Sequence, residues 1–140
     1  MDPALETTEP GTAYVSAPMR GIPDGNFPAI DSCAAYLISH GWKVYSPAQN
    51  DREAGLTGAD ANNDLPGSFK KLMRLDLWQV CDSDAIVLLP GWERSRGALL
   101  EKYVAEYEGI ECEVLYAYPL RDGQWFISDV YMGDVDAVRT

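Results

Sequence analysis

The chain has 140 residues, 46% of them hydrophobic and 11% aromatic, which suits one domain with an ordinary packed core and is too short for two. Twenty-two acidic against eleven basic side chains give a net charge of −11, a balance that repels nucleic-acid polymers and anionic lipid, so neither is expected as a partner. A small anionic substrate is compatible with this charge if one pocket gathers cations, which draws attention to Arg20, Arg94 and Arg96.

Residues 1–11, MDPALETTEPG, are polar and punctuated by proline, and read as a flexible leader. TAYVSAP is a short buried strand stopped by Pro18. From Asn26 to His40, Phe27, Ile30, Ala34, Leu37 and Ile38 recur at helical spacing; Asn26 is placed as the N-cap and Gly41 as the stop. His40, at that helix end, is read as capping carbonyls. WKVYSP predicts the next strand, and AQNDREAGLTGADANNDLPG a long loop. Asp51, Asp60 and Asp64 in that loop read as turn residues rather than magnesium ligands.

SFKKLMRLDLWQVCDSD places Phe69, Leu72, Met73, Leu75, Trp78 and Val80 in a helical pattern, and AIVLLPGW is a continuous apolar strand with both faces buried. GWERSRGALLEKYVAEYEG supplies a third helix, read as opening with Glu101, and CEVLYAY a fourth strand. The extension over residues 118–140 contains Trp125, Phe126, Val130, Tyr131 and Met132, more apolar surface than a solvated tail exposes; it packs either on the domain or on a partner subunit.

Strands alternating with helices over residues 12–117 imply an α/β domain, a flavodoxin-like or Rossmann-like three-layer sandwich with a mainly parallel sheet of about five strands. Ligands of such sheets sit beyond the carboxyl ends of the strands, where the loops after Ala17, Tyr45 and Leu89 meet. Cys33, Cys81 and Cys112 are odd in number and set among apolar residues, so they read as buried reduced thiols of a cytoplasmic protein. One histidine and no Cys-x-x-Cys spacing leave no zinc signature, and no apolar stretch is long enough for a membrane span.

Three segments are expected to converge: SAPMRG, RLDLWQVCDSD and PGWERSRGALLE. Their residue types suit nucleotide chemistry without a metal or cofactor. Arg20 is a candidate to hold an anion, Ser95 and the amides near Gly97 to form a helix-terminal nest for an oxyanion or phosphate, and Glu101 to act beside them. Each has a plainer reading: Arg20 as a surface side chain, Ser95 as an N-cap, Glu101 as a first-turn partner of the helix dipole. Trp92 either stacks on a base or covers the sheet edge. Asn50 and Asp51 lie near the strand edge as candidates for a base pocket.

YVSAPMRG, DLWQVCDSDAIVLL and SRGALLE together resemble the nucleoside 2-deoxyribosyltransferase superfamily, and within it the 2-deoxynucleoside 5-phosphate N-hydrolases and a branch of small phage and bacterial proteins. The resemblance covers about residues 12–117. It implies that Glu101, four residues after Gly97, is the nucleophile that attacks C1′, and that Asp76 of DLWQV positions the nucleophile or the base. It implies a 5′-phosphate contact for Ser95, the first-strand aromatic for Tyr14 and an Arg-Gly turn for Arg20 and Gly21. Ser16 and Met19, within the same first segment, complete the implied substrate-binding set. The departure is Pro18, which stands where the hydrolases carry a phosphate-binding serine.

The function so implied is cleavage, or base exchange, at the N-glycosidic bond of a 2-deoxynucleoside or its 5′-monophosphate through a deoxyribosyl-glutamate ester, by a homodimer or higher homo-oligomer. A carboxylate close to C1′ stabilises the oxocarbenium-like transition state and then bonds to it, without a metal. The alternative is a binding module that uses the same pocket to sense or sequester a nucleotide without turnover.

Overall fold

The computed structural model describes residues 9–62 and 68–133. Residues 1–8 of the expected leader, Asp64 and the last seven residues of the tail lie outside them.

The apolar runs form one five-stranded sheet: β1 (Thr12–Ser16), β2 (Lys43–Tyr45), β3 (Ala85–Leu88), β4 (Glu113–Pro119) and β5 (Trp125–Ser128), in the order β2-β1-β3-β4-β5. The first four are parallel; β5 runs antiparallel to β4. The two-residue period of β1 divides the core. Ala13 and Val15 meet Phe27, Ile30, Cys33 and Leu37 of α1 (Phe27–Ser39), whereas Tyr14 packs with Val80 of α3 (Ser68–Asp82) and Ala105 of α4 (Arg96–Glu106). Helices thus cover both faces, giving the flavodoxin-like three-layer sandwich. Fully burying a Leu or Ile such as Leu37 or Ile30 contributes about 1.5–3 kcal/mol each, and Leu37→Ala is the sort of single change that removes most of it.

The tail contributes its own strand. Trp125 and Ile127 alternate inward in β5, Trp125 Nε1 donates to Ser32 Oγ at 3.0 Å, and Met132 N–H donates to the Tyr118 hydroxyl at 2.7 Å. Residues 125–128 therefore pack on the chain's own sheet.

Four local expectations need correction. The loop after β2 is helical at its start: α2 (Pro47–Glu53) begins where Ser46 Oγ accepts the Gln49 N–H at 3.2 Å and Pro47 supplies a first-turn residue that needs no N–H partner. A 3-10 turn follows at Gly58–Asn62, packed so closely on Pro23–Asn26 that a Cβ on Gly58 would lie 2.1 Å from the Asp24 carbonyl oxygen. Asn26 stands at the N-cap position of α1 but has left-handed backbone (φ 63°), and its Nδ2 donates to Pro18 O at 2.9 Å instead, tying the loop after β1 to the helix. Cys81 is exposed, one residue past buried Val80 on the solvent side of α3, while Cys33 and Cys112 are buried. His40 does cap: its Nδ1 lies 2.9 Å from Tyr36 O. Among the described residues no helix is long and apolar enough to cross a membrane.

Candidate active site

The chain leaves β1 toward β2 on one side and reaches β3 on the other, so the carboxyl ends of β1 and β3 part at a switch point, the usual ligand crevice of an open α/β sheet. The alternation that sends Val15 toward α1 turns Tyr14 and Ser16 toward α4. Ser95, with extended backbone (φ −105°, ψ 117°), accepts the Ala98 N–H on its Oγ at 3.1 Å and starts α4 at Arg96. This moves Glu101 from the expected helix opening into the second turn, out of range of a dipole role that fades within the first. It is also only 8% exposed. A buried carboxylate there costs stability unless it is held.

It is held at both oxygens. The Tyr14 hydroxyl donates to Glu101 Oε2 at 2.7 Å and Ser16 Oγ donates to Oε1 at 2.7 Å. Burial lifts the Glu101 carboxyl to about 7; the two hydrogen bonds oppose that rise and the nearby Asp76 adds to it. Burial, then Glu101 and Asp76, push the Tyr14 hydroxyl well above its ordinary value, so it stays a donor.

Asp76 closes a helical stripe with Phe69, Leu72 and Met73, spaced at i, i+3, i+4 and i+7 on α3. Asn50 Nδ2 donates to Asp76 Oδ1 at 2.8 Å and to Gln79 Oε1 at 2.6 Å, and Gln79 Nε2 returns a bond to Asn50 Oδ1 at 3.2 Å. That reciprocal amide pair fixes which face of Asn50 meets the carboxylate. Burial raises Asp76 to about 6; the Asn50 bond opposes this and Asp51 adds to it.

Both carboxylates line one cavity of about 190 Å³. Ser95, Gly97 and Ala98 form its α4 end; Pro47, Asp51, Leu56 and Asp60 form its β2 end. Arg20 and Met19 reach it from the loop after β1, with the Arg20 guanidinium 6.0 Å from the centre of the half-exposed Phe69 ring. A Cβ on Gly97 would meet no protein atom nearer than Ser95 Oγ at 4.0 Å. Glycine costs a helix about 1 kcal/mol relative to alanine, and here the fold has no steric need of it; what it supplies is space beside Glu101.

Of the residues singled out from sequence, Met19, Arg20, Asp76, Ser95, Gly97 and Glu101 line this cavity. Tyr14, Ser16 and Asn50 stand behind its wall and act on it through Glu101 and Asp76. Gly21 (φ 81°) makes the turn after Arg20 without lining it. Trp92 belongs elsewhere: Gly91 (φ 92°) turns the chain, closely enough that its Cβ would lie 3.1 Å from Pro18, and Trp92 packs 5.8 Å from Tyr116 and 5.3 Å from Tyr131 at the sheet edge. A second cavity lies there, shared with Tyr118 and Arg94. Leu56, Leu72 and Met73 were not expected as lining; the signal for the latter two was an apolar stripe that ends in a carboxylate. Asp60 Oδ2 accepts the Thr57 N–H at 2.6 Å, the turn role expected of it. Among the described residues no group of three or more His, Cys, Asp and Glu side chains is placed to hold a metal ion.

The raised carboxyls set a pH dependence of stability. Glu101 at about 7, and Asp76 and Asp51 at about 6, all lie above their ordinary values of 4.5 and 3.8, so the folded chain holds protons that the unfolded chain releases. Their contribution favours folding fully below about pH 4 and is lost as pH rises through about 6 to 7. Denaturant unfolding should show stability falling by about 1 kcal/mol or more between about pH 5 and 7.5, with a smaller fall in Glu101→Gln. A rise over that interval, or an unchanged slope in the variant, would contradict the assignment.

Neither the curated proteins nor the solved structures contain a match to the chain. Residues 12–115, the span from β1 into β4 that carries the whole cavity, match the family described as Domain of unknown function (DUF4406), and the chain belongs to it.

Proposed function

We propose that the chain cleaves the N-glycosidic bond of a 2-deoxynucleoside or its 5′-monophosphate, with hydrolysis as the main outcome and base exchange as the variant of the same chemistry. The observation that carries this reading is the Glu101 carboxylate, set in a cavity wall with each oxygen on a separate hydroxyl donor and a second carboxyl, Asp76, lining the same cavity. The resemblance of the β1, α3 and α4 segments to the nucleoside 2-deoxyribosyltransferase superfamily supports it.

Ionised Glu101 attacks C1′ as the C1′–N bond breaks, and the bonding pair leaves with the base. The Asp76 carboxyl, raised into the range where a protonated fraction persists near neutrality, gives its proton to the base. As a carboxylate it then takes a proton from water, which adds to C1′ while the ester C1′–O bond breaks and returns Glu101 as carboxylate. Tyr14 and Ser16 hold the nucleophile's plane throughout. At the α4 end, Ser95 uses an oxygen lone pair on the Ala98 N–H and keeps its hydroxyl proton to donate. With Arg20 it offers a 5′-phosphate charge-assisted contacts, which favours the monophosphate and water over a second base. Unpaired cysteines suit the cytoplasm, where such substrates are held.

Incubation with each deoxynucleoside and each 5′-monophosphate, followed by chromatography, tests the reading. Free base is expected with an equimolar deoxyribose product; no base from any substrate would overturn it.

The active species on this reading is a homodimer. Leu75 and Trp78 of α3 and Leu99, Leu100, Tyr103 and Tyr107 of α4 are exposed on helices that contact each other, a set of large apolar side chains that a partner surface would cover. A second copy over that face would also shield the ester beside Phe69 from bulk solvent, leaving room for the one water that the Asp76 carboxylate activates. Light scattering at micromolar concentration should give twice the chain mass; a fully active monomer would refute the shared arrangement.

A further inference from the structure

Asp51 sits on α2 at the β2 end of the cavity. Its residue is 8% exposed, it lines the cavity, and its carboxylate has no hydrogen-bond or ion-pair partner among the described residues. Asn50 is occupied with Asp76 and Gln79, Asp60 with Thr57, and the Leu56 N–H with the main-chain oxygen of Asp51 itself. Burial first, then Asp60, raise the Asp51 carboxyl to about 6, so it is mostly ionised above neutrality. A buried carboxylate left without donors is a net cost to folding. Among the described residues nothing donates to it, and its oxygens are open to the cavity rather than enclosed by protein, so the cavity is where a ligand can supply the donors.

The two ends of the cavity follow different strands. Pro47 and Asp51 come after β2 and Ser95 and Gly97 after β3; with β1 between, those two strands run roughly 10 Å apart at the usual strand spacing, which puts the two groups at opposite ends of the cavity. Asp51 and Asp60 repel a phosphate, which directs it to Ser95 and leaves the base at the α2 end. Leu56, Leu72 and Met73 are apolar cover for the faces of a flat ring.

We propose that Asp51 is the specificity-determining residue of the site, its two carboxylate oxygens accepting from the two adjacent N–H donors of a guanine-type base, N1–H and the N2 amino group; the nucleoside itself rests on the function proposed above. Thymine and uracil offer one N–H flanked by carbonyl oxygens, and adenine and cytosine an amino group beside a ring-nitrogen lone pair. Each sets one carboxylate oxygen against a lone pair. Hypoxanthine keeps N1–H and lacks only the amino donor, which makes it the sharpest comparison.

The test is calorimetric binding of dGMP and dIMP to the non-turnover variant Glu101→Gln, alongside wild-type initial rates on all four common monophosphates. We expect dGMP to bind at least about tenfold tighter than dIMP, because a site built to hold a donor rejects the analogue that lacks it. Adding Asp51→Asn, which keeps the volume, should collapse that ratio toward one and raise dAMP, whose edge the amide complements. Equal binding of dGMP and dIMP, or a ratio unchanged by Asp51→Asn, overturns the assignment. If the preference is present but wild type releases no base, glycosidic cleavage fails and the role of Asp51 stands; if base is released from all four alike, the reverse holds.

Discussion

Glu101→Gln should lower base release by about a thousandfold or more while the protein stays folded and, near pH 7.5, becomes no less stable. The rate loss corresponds to about 4 kcal/mol of transition-state stabilisation, the scale expected when a covalent nucleophile is removed and only binding and the acid remain. Glutamine keeps the volume and one carbonyl acceptor for the Tyr14 hydroxyl, and its amide can donate to Ser16 Oγ, so both hydroxyls keep partners. The variant also removes a buried charge whose ionisation opposes folding. Alanine is the poorer probe, since it leaves a void and strands the buried Tyr14 hydroxyl. A 2-fluoro-2-deoxynucleoside should leave an adduct on wild type and none on Glu101→Gln, read by intact mass. A variant that keeps a tenth of the wild-type rate would remove Glu101 from the nucleophile role.

What could be read from sequence depended on which neighbour each side chain faces. β3 was legible because AIVL is buried on both faces and leaves an unbroken apolar run. α2 was not: its buried residues include Asn50 and Asp51, turned to the cavity and to Asp76 rather than to the core, so no apolar period marks the helix, and the Ser46–Pro47 start was lost among turn-forming residues. Glu101 was singled out from sequence and lines the cavity, but was misplaced along its helix, because Gly97 looked like loop and the Ser95 hydroxyl that pulls it into α4 is a contact in space. Asn50 and Asp51 are adjacent, yet about 100° apart around a helix. Only the fold shows that the first holds Asp76 and the second meets the cavity. Trp92 illustrates the opposite limit: both its readings were chemically sound, and the turn at Gly91 chose the sheet edge.

The roles proposed for the Glu101 and Asp76 carboxyls separate in a pH profile. On the proposed mechanism base release needs Glu101 ionised and Asp76 protonated, so the rate should fall on the acid side as Glu101 gains a proton and on the alkaline side as Asp76 loses one, with a maximum between about 6 and 7. The two groups interact, so both limbs belong to the pair. Asp76→Asn should lower the maximal rate by about a hundredfold to ten thousandfold, the usual range for a proton donor, and abolish the alkaline limb while keeping the acid one. The amide still accepts from Asn50 Nδ2 on its carbonyl oxygen, so the Asn50–Gln79 pair survives and misfolding is not expected to account for the loss. The leaving base distinguishes donor from mere neighbour. A substrate whose base departs readily without protonation should recover most of the lost rate in Asp76→Asn and none of it in Glu101→Gln. If Asp76→Asn instead keeps a full bell and loses the same factor on every substrate, Asp76 acts only by holding the wall of the cavity, and the proton reaches the base from another group.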